Sequence, residues 1–366
     1  MSKISKIILL FPFLFSCASN SSDSNTDSAS NKIHKNSSRS PVYIRVATIN
    51  VWSGLDYKGT FSIGEYQASE IRNQRTQNLI EQLSILDADI IAVNEANMLP
   101  EYAQSLADTL NYDQINDVGL GGLHIGKIGF PVNLFEGDVI LAEKSFQLES
   151  IGRSQLSGGP SGKFLSFHFE DATQVIGGKI SIENQNIYIF NTHWHASPCP
   201  SEEYFRILTD LLESNKINQK QYEKYKNIAI EGEECRIDEA RKTITFIEKK
   251  AGNNPVILMG DFNSSEKSLE IGLIKAAGFR DAYIASGTPP GYTWDGKNNP
   301  NIQIQIEKYP VDFCNEPSQR RIDYIFYRGT ALQAVMSKII LNKPVHGIYP
   351  SDHYGVMAEF KLTIEE

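Results

Sequence analysis

The sequence predicts an α/β fold in which two packed β-sheets are flanked by helices. Strand-like runs outnumber helical segments along the chain, and the helical segments fall between them. The chain has 366 residues, of which 41% are hydrophobic and 22% are charged, values typical of a globular protein with a sizeable core. One sandwich or barrel domain can reach this length, so we expect a single large domain.

The first residues differ from the rest of the chain. Lys3 and Lys6 precede a short apolar run at residues 7–15, which ends just before Cys17. This run is far shorter than the roughly 20 residues of a membrane-spanning helix, and its positive start is typical of a secretory signal. The sequence "LFSCASN" resembles a bacterial lipoprotein signal over residues 1–17, with Cys17 lipidated. The alternative is an ordinary signal peptide with a chance cysteine.

Residues 18–40 are almost all Ser, Asn, Asp and Thr, which predicts a disordered tether between the anchor and a domain at residues 41–366. We therefore expect a protein of the bacterial cell envelope, exported and held to the membrane by lipid, and monomeric. The formal net charge is −9, and no basic cluster stands out. This acidity argues against tight binding of a nucleic-acid backbone but not against a metal-dependent nuclease, because a bound cation reverses the local charge.

Hydrophobic periodicity places the elements of the domain. Helices are predicted at residues 68–86 and 101–110 and through most of 201–250. Strands are predicted at residues 42–51, 89–95, 137–143, 164–170, 177–183, 186–194, 255–263, 320–328 and 355–364. Residues 285–320, rich in Pro, Gly and Asn, predict a long loop region. The glycine-rich segment 119–137 is interpreted as a packed loop.

Polar or acidic side chains stand at the ends of several buried strands. Carboxylates rarely leave water without a partner, so acids gathered at strand ends suggest a shared cation. Oxygen ligands with few sulfurs favour a hard ion such as Mg²⁺ or Mn²⁺. The residues that follow this pattern are Asn50, Glu95, His193, Asp261, Asn263, Asp352 and His353.

The cysteines suggest no metal site, because neither a CxxC motif nor a zinc-ligand spacing is present. With Cys17 lipidated, Cys199, Cys235 and Cys314 remain, and two of them can pair in an exported protein. Cys199 and Cys235 bracket the segment around residues 201–234 and are the favoured pair, although the sequence alone does not decide the pairing.

Four motifs in one order make a specific pattern. "NTHWH", "GDFN", "RRIDYIF" and "SDH" follow an Asn50 and Glu95 pair. Together they resemble the endonuclease/exonuclease/phosphatase superfamily over residues 43–360. The resemblance implies the DNase I-like fold, a four-layer sandwich of two mixed β-sheets flanked by helices, and a metal-dependent phosphoester hydrolase.

The resemblance also implies roles for individual residues. Glu95 is the principal metal ligand, helped by Asn50 and by Asp352 beside the metal. His353 is the general base that activates water, and Asp323 orients it. Asp261 and Asn263 position the nucleophile and the scissile phosphate, and His193 hydrogen-bonds a non-bridging phosphate oxygen.

Elementary chemistry agrees with these roles, since phosphoryl transfer needs a positioned nucleophile and charge neutralisation. A histidine beside a carboxylate can take the proton of water. One residue departs from the family pattern: Asn94 precedes Glu95 where Gln is more usual, which leaves the role of the Asn94 amide open.

The substrate is less well determined than the superfamily. The Trp-Cys-Asp-Arg motif usual in inositol-polyphosphate phosphatases is missing at "RRIDY". "NVWSG", "NTHWHA" and "GFRDAY" resemble the neutral sphingomyelinase branch, which implies a phosphodiesterase acting on a phospholipid head group. The alternatives are a secreted or surface nuclease acting on nucleic acid and a catalytically inactive binding lipoprotein.

Several residues keep two interpretations. His195 in "NTHWH" belongs either to the site or to the structural surroundings. Trp294, in the loop "GYTWDGKNNP", either lines the substrate pocket or packs a turn. Arg320 and Arg321 either contact phosphate or form a solvated pair, the second being favoured. His124, His168 and His346 are interpreted as ordinary surface or core residues.

Overall fold

The structure is a computed structural model. It describes residues 42–56, 64–65, 67–125, 128–157, 165–166, 173–308 and 319–363. The predicted signal at residues 1–17, the tether at 18–40, His168 and Cys314 lie outside the described residues.

The first β-sheet has seven strands within the described ranges. Its centre is a parallel pair of strands, flanked on both sides by antiparallel neighbours, so the sheet is mixed. In spatial order the strands are β16 (Leu332–Ile340), β17 (Gly355–Leu362), β1 (Val42–Asn50), β4 (Ile90–Ala96), β6 (Ile128–Glu143), β5 (Tyr112–Ile125) and β8 (Leu165–Ser166).

The second β-sheet has six strands and is also mixed. In spatial order they are β12 (Arg280–Asp281), β15 (Asp323–Arg328), β11 (Val256–Asp261), β10 (Gln185–His193), β9 (Gln174–Ile182) and β7 (Glu149–Gln155). Two short ribbons accompany the sheets: β2 (Leu55–Asp56) with β3 (Gly64–Glu65), and β13 (Trp294–Asp295) with β14 (Gln319–Arg320).

Helices cover the outer face of each sheet. α1 (Ser69–Leu86) and α2 (Glu101–Leu110) pack on the first sheet, and α4 (Gln219–Ala251) and α5 (Leu269–Ala276) pack on the second. α4 begins with a capping box between Asn218 and Gln221, which satisfies two backbone N–H groups that the first turn leaves open. The remaining helical segments are a 3₁₀ turn (Lys144–Phe146), α3 (Glu202–Glu213), α6 (Ala282–Ser286) and α7 (Pro300–Lys308).

The main core lies between the two sheets. Ile44 and Ile90 of the first sheet and Ile189 and Ile257 of the second are fully buried in one cluster. β-Branched residues pack well on pleated surfaces, and strands buried on both faces consist of nearly continuous apolar residues, as these strands do in the sequence. The layers run helix, sheet, sheet, helix, and the predicted four-layer sandwich of two mixed sheets is confirmed.

Two of the predicted loops are wrong. Residues 119–125 and 128–137 lie in the antiparallel strands β5 and β6, whose backbones pair in spite of weak side-chain alternation. Residues 285–320 include β13, α7 and β14 as well as loops. The helix α7 begins at Pro300, whose missing N–H costs nothing at a first helical turn.

The predicted disulfide between Cys199 and Cys235 is also wrong, since no disulfide joins the two residues in the structure. Each sulfur faces a charged side chain instead. Cys199 Sγ lies 3.8 Å from Arg236 Nη2, and Cys235 Sγ lies 3.7 Å from Glu239 Oε1. Among the described residues, no helix has the length and hydropathy to cross a membrane.

Candidate active site

Strand pairing brings the predicted site residues to one edge of the sandwich. In the first sheet, the parallel pair of β1 and β4 sets Asn50 opposite Asn94, next to Glu95. In the second sheet, the parallel pair of β10 and β11 sets His193 opposite Asp261, and β15 adds Asp323 on the other side of Asp261. Parallel strands end at the same edge, so chain-distant residues meet there.

The oxygen Oδ2 of Asp261 is the point on which the two sheets converge. Asn50 Nδ2 donates to it at 3.0 Å and to Glu95 Oε1 at 2.8 Å, which joins the two sheets through one amide. The Nε2 atoms of His193 and His353 lie 3.8 Å and 3.7 Å from the same oxygen. Glu95, Asp261 and His353 therefore share one cleft.

His353 and Asp323 form a buried pair. The distance from His353 Nδ1 to Asp323 Oδ2 is 2.9 Å, and the Asp323 side chain is fully buried. A hydrogen bond at Nδ1 leaves Nε2, which faces Asp261, as the nitrogen that can exchange a proton with a reacting group. The Trp294 ring meets the His353 ring edge to face at 5.0 Å, so Trp294 lines the site and does more than pack a turn.

Two short hydrogen-bonded loops hold this pair in place. Thr293 Oγ1 accepts from the backbone N–H groups of Ile322 and Asp323, both at 3.1 Å. Ser351 Oγ accepts from the N–H of His353 at 3.1 Å and donates to the Asn50 carbonyl at 2.6 Å. These hydroxyls are missed by sequence reasoning, although Ser351 belongs to the "SDH" motif that points to it.

Asp352 is buried and held from both sides. Gln305 Nε2 donates to its Oδ2 at 2.6 Å, and Ser351 Oγ lies 3.1 Å from its Oδ1. The amide of Asn299 donates to the Asp352 carbonyl at 2.9 Å. The Asn-rich stretch around residue 300 thus supports the "SDH" loop, a function that its composition alone does not reveal.

The amide of Asn94 ties four strands together. Its Nδ2 contacts Asp138 Oδ1 at 2.6 Å and Asn191 Oδ1 at 3.0 Å, and its Oδ1 accepts from the Asp261 N–H at 3.1 Å. The shorter Asn side chain still positions the backbone of Asp261. Asp138 is a buried acid that sequence reasoning missed, and burial raises the pKa of its carboxyl to about 6.

Asn263 and Glu95 both have left-handed backbone, with φ of 46° and 54°. Such conformations in residues other than glycine cost about 1–3 kcal/mol and cluster at functional sites. Asn263 is fixed by its N–H to Asp261 Oδ1 at 2.8 Å and by its Nδ2 to the Trp194 carbonyl at 2.9 Å. The backbone of His195 donates to Glu239 Oε2 at 2.9 Å, which anchors the segment after β10 to α4.

The electrostatics of the site are set by its excess of carboxylates. Burial lowers the pKa of His193, but the fields of Asp261 and Glu95 outweigh burial and raise it to about 9. Burial likewise lowers the pKa of His353, and Asp323 and Asp261 outweigh it and raise the value to about 10. Burial raises the pKa of the Glu95 carboxyl. A cation among these acids would offset their fields at both imidazoles.

The donor set fits a hard divalent cation. Asp261, Asp323 and His353 form one buried group whose ligand atoms lie within 4.8 Å of one another. Asp323 Oδ1 is buried with no hydrogen-bond partner among the described residues, as expected near a cation. A second possible pair of metal ligands is Glu95 and Asp352. The charge of Asp352 raises the pKa of the Glu95 carboxyl. The hydrogen bond between His353 Nδ1 and Asp323 Oδ2 occupies one possible ligand atom of each residue. This favours Glu95 and Asp352 as the residues that hold the cation.

A cavity of about 370 Å³ adjoins Glu95 on the side of α1. Trp52 and Arg72 line it together with Met98 and Tyr102. It is an open space beside the acidic cluster, of the size of a small-molecule pocket.

The comparisons with known proteins agree with this architecture. A model of the Endonuclease/Exonuclease/phosphatase family matches residues 228–353. An endonuclease/exonuclease/phosphatase from Bacteroides vulgatus is 18% identical with a TM-score of 0.57, and the match covers 88% of this chain and 100% of that one. No curated protein matches the sequence significantly.

Two further solved structures share the fold. D. rerio TDP2, humanized by 14 mutations, is 16% identical with a TM-score of 0.53, and the match covers 87% of this chain and 98% of that chain. The mannosyl-6-phosphatase Bt3783 of Bacteroides thetaiotaomicron is 16% identical with a TM-score of 0.54. The match covers 87% of this chain and 99% of that chain. The described residues therefore have the fold of solved endonuclease/exonuclease/phosphatase proteins, and residues 228–353 also match the model of that family.

Proposed function

We propose that this protein is a Mg²⁺- or Mn²⁺-dependent phosphoester hydrolase in which His353 activates water. The observation that carries the proposal is the 2.9 Å contact from His353 Nδ1 to Asp323 Oδ2, beside an Asp261 that Asn50 links to Glu95. A histidine oriented by a buried carboxylate is the arrangement that general-base catalysis requires.

The residues of the cleft have different proposed roles in hydrolysis. Glu95 and Asp352, with Asn50 beside them, would hold the cation, which when bound supplies Lewis acidity toward the phosphoryl oxygens. His353 Nε2 accepts a proton from water while Asp323 fixes the tautomer of its ring. His193, 22% exposed at its side chain, is placed to donate to a non-bridging oxygen of the phosphate. Asp261 and Asn263 orient the water and the scissile group.

We propose that the substrate is a phosphodiester. A phospholipid head group is the preferred candidate, and nucleic acid is the alternative. The motifs that resemble those of neutral sphingomyelinases and the predicted lipid anchor at Cys17 support the first. An anchored enzyme with a tether at residues 18–40 can reach a membrane surface or an extracellular molecule. The net charge of −9 counts against a protein that relies on nucleic-acid backbone contacts.

A substrate panel with a metal titration tests the proposal. The full chain is incubated with sphingomyelin vesicles, plasmid DNA or a sugar 6-phosphate, each with Mg²⁺, with Mn²⁺ and with a chelator. We expect metal-dependent release of product from at least one substrate, lost in His353→Ala. A folded protein that turns over no phosphoester would instead support the binding-lipoprotein alternative.

A further inference from the structure

Two neighbouring arginines, Arg320 and Arg321, have different surroundings in the structure. Arg321 is buried, and its guanidinium contacts Asp281 Oδ2 at 2.7 Å and Glu266 Oε2 at 3.2 Å. It also lies 4.6 Å from the Tyr324 ring centroid. These contacts neutralise its charge away from the cleft, so Arg321 stabilises the fold at the start of β15.

Arg320 lies on the other side of the chain, toward the reaction cleft. Arg320 is the last residue of β14 and pairs with Trp294 across the β13–β14 ribbon. Its guanidinium carbon lies 5.6 Å from the centroid of the Trp294 ring, and that ring touches His353 at 5.0 Å. The guanidinium, the indole and the imidazole therefore follow one another along one wall of the cleft.

One of the charges that act on Arg320 belongs to the site. Burial lowers its pKa, against which Cys199 and Asp261 act, and Asp261 is the carboxylate on which both histidines converge. A guanidinium keeps its charge at neutral pH and presents a planar fork of donors that matches two phosphate oxygens. An arginine held against an aromatic ring loses less side-chain freedom when it binds an anion.

We infer that Arg320 is a phosphate-binding residue of this site, whose guanidinium donates to non-bridging oxygens of the substrate phosphoryl group. This rests on the proposed phosphoester hydrolysis. Arg320 then complements His193 on a second side of the phosphate, and Trp294 sets the direction of the guanidinium. A lysine at this position would keep the charge and lose the paired donors.

Binding of inorganic phosphate measures this role apart from turnover. The full chain is titrated calorimetrically with phosphate in Mg²⁺ buffer, as wild type, Arg320→Ala, Arg320→Lys and Lys297→Gln. Lys297, an exposed cation near Trp294 in sequence, is the matched control. We expect Arg320→Ala to weaken phosphate binding about 10- to 100-fold, Arg320→Lys to fall between, and Lys297→Gln to match wild type.

Chemical rescue separates a direct contact from a merely structural one. Millimolar guanidinium should restore phosphate affinity and turnover in part to Arg320→Ala and leave wild type unchanged. Unaltered phosphate affinity in Arg320→Ala, or weakened affinity that guanidinium does not restore, overturns the inference. If wild type binds phosphate through Arg320 but hydrolyses no ester of the substrate panel, the proposed function fails while the phosphate site stands.

Discussion

The buried ion pair between Arg236 and Glu270 offers a prediction that can be worked through from the structure. Both side chains have no exposed surface, and Arg236 Nε lies 3.1 Å from Glu270 Oε1. Arg236 Nη1 also donates to the Ser197 carbonyl at 3.2 Å, and Ser264 Oγ donates to Glu270 Oε1 at 2.5 Å. One arginine of α4 thus connects the segment that follows His193 at the end of β10 with the segment after β11, which carries Asn263.

Replacing Arg236 with Met keeps most of the volume and leaves Glu270 buried without its cation. Breaking a buried pair from one side costs about 3–5 kcal/mol. In a domain of this size each kcal/mol lowers Tm by about 2 °C, so we expect Tm to fall by about 6–10 °C. Because the two segments lose their common anchor, kcat for a phosphoester should fall as well, even at temperatures where the variant is folded.

A double-mutant cycle with thermal and denaturant unfolding measures the pair. Arg236→Met, Glu270→Leu and the double variant are compared, and Arg241→Met, an exposed arginine on the same helix, is the control. The double variant should be more stable than the sum of the single losses implies, with a coupling of about 2 kcal/mol or more. Strictly additive losses, or an Arg236→Met variant within about 1 kcal/mol of wild type, would refute the reasoning.

Three further predictions concern the site and the anchor. His353→Ala should lower turnover about 10²- to 10⁴-fold and also lower Tm, because it leaves the buried Asp323 without its partner, and near-normal turnover at a temperature where the variant is folded would contradict the base assignment. Glu95→Gln should raise the Mg²⁺ concentration for half-maximal activity about tenfold or more; an unchanged metal titration would rule Glu95 out as a ligand. Cys17→Ala should release the protein from membranes and abolish labelling by radioactive fatty acid, and persistent labelling would reject the lipoprotein signal.

The sequence by itself predicted most of the polar residues that the structure brings together, because several strands are apolar and end in one conspicuous polar residue. Asn50, Glu95 and Asp261 stand out for this reason, and the order of the four motifs narrows the fold to one superfamily. Helices α1 and α2 were also predictable, since their apolar residues recur at helical spacing. Local periodicity and local chemistry suffice for such features.

Only the tertiary structure decided which hydrogen bonds position these residues and which neighbouring side chains contact the site. Asn94 bonding to Asp138, Thr293 supporting Asp323, and Arg320 lying over Trp294 all join residues far apart in the chain. No local pattern encodes such contacts, because they depend on the register between strands and on the packing of two sheets. The strand β5 and the first part of β6 were missed for the same reason: cross-strand pairing stabilises them where side-chain alternation is weak.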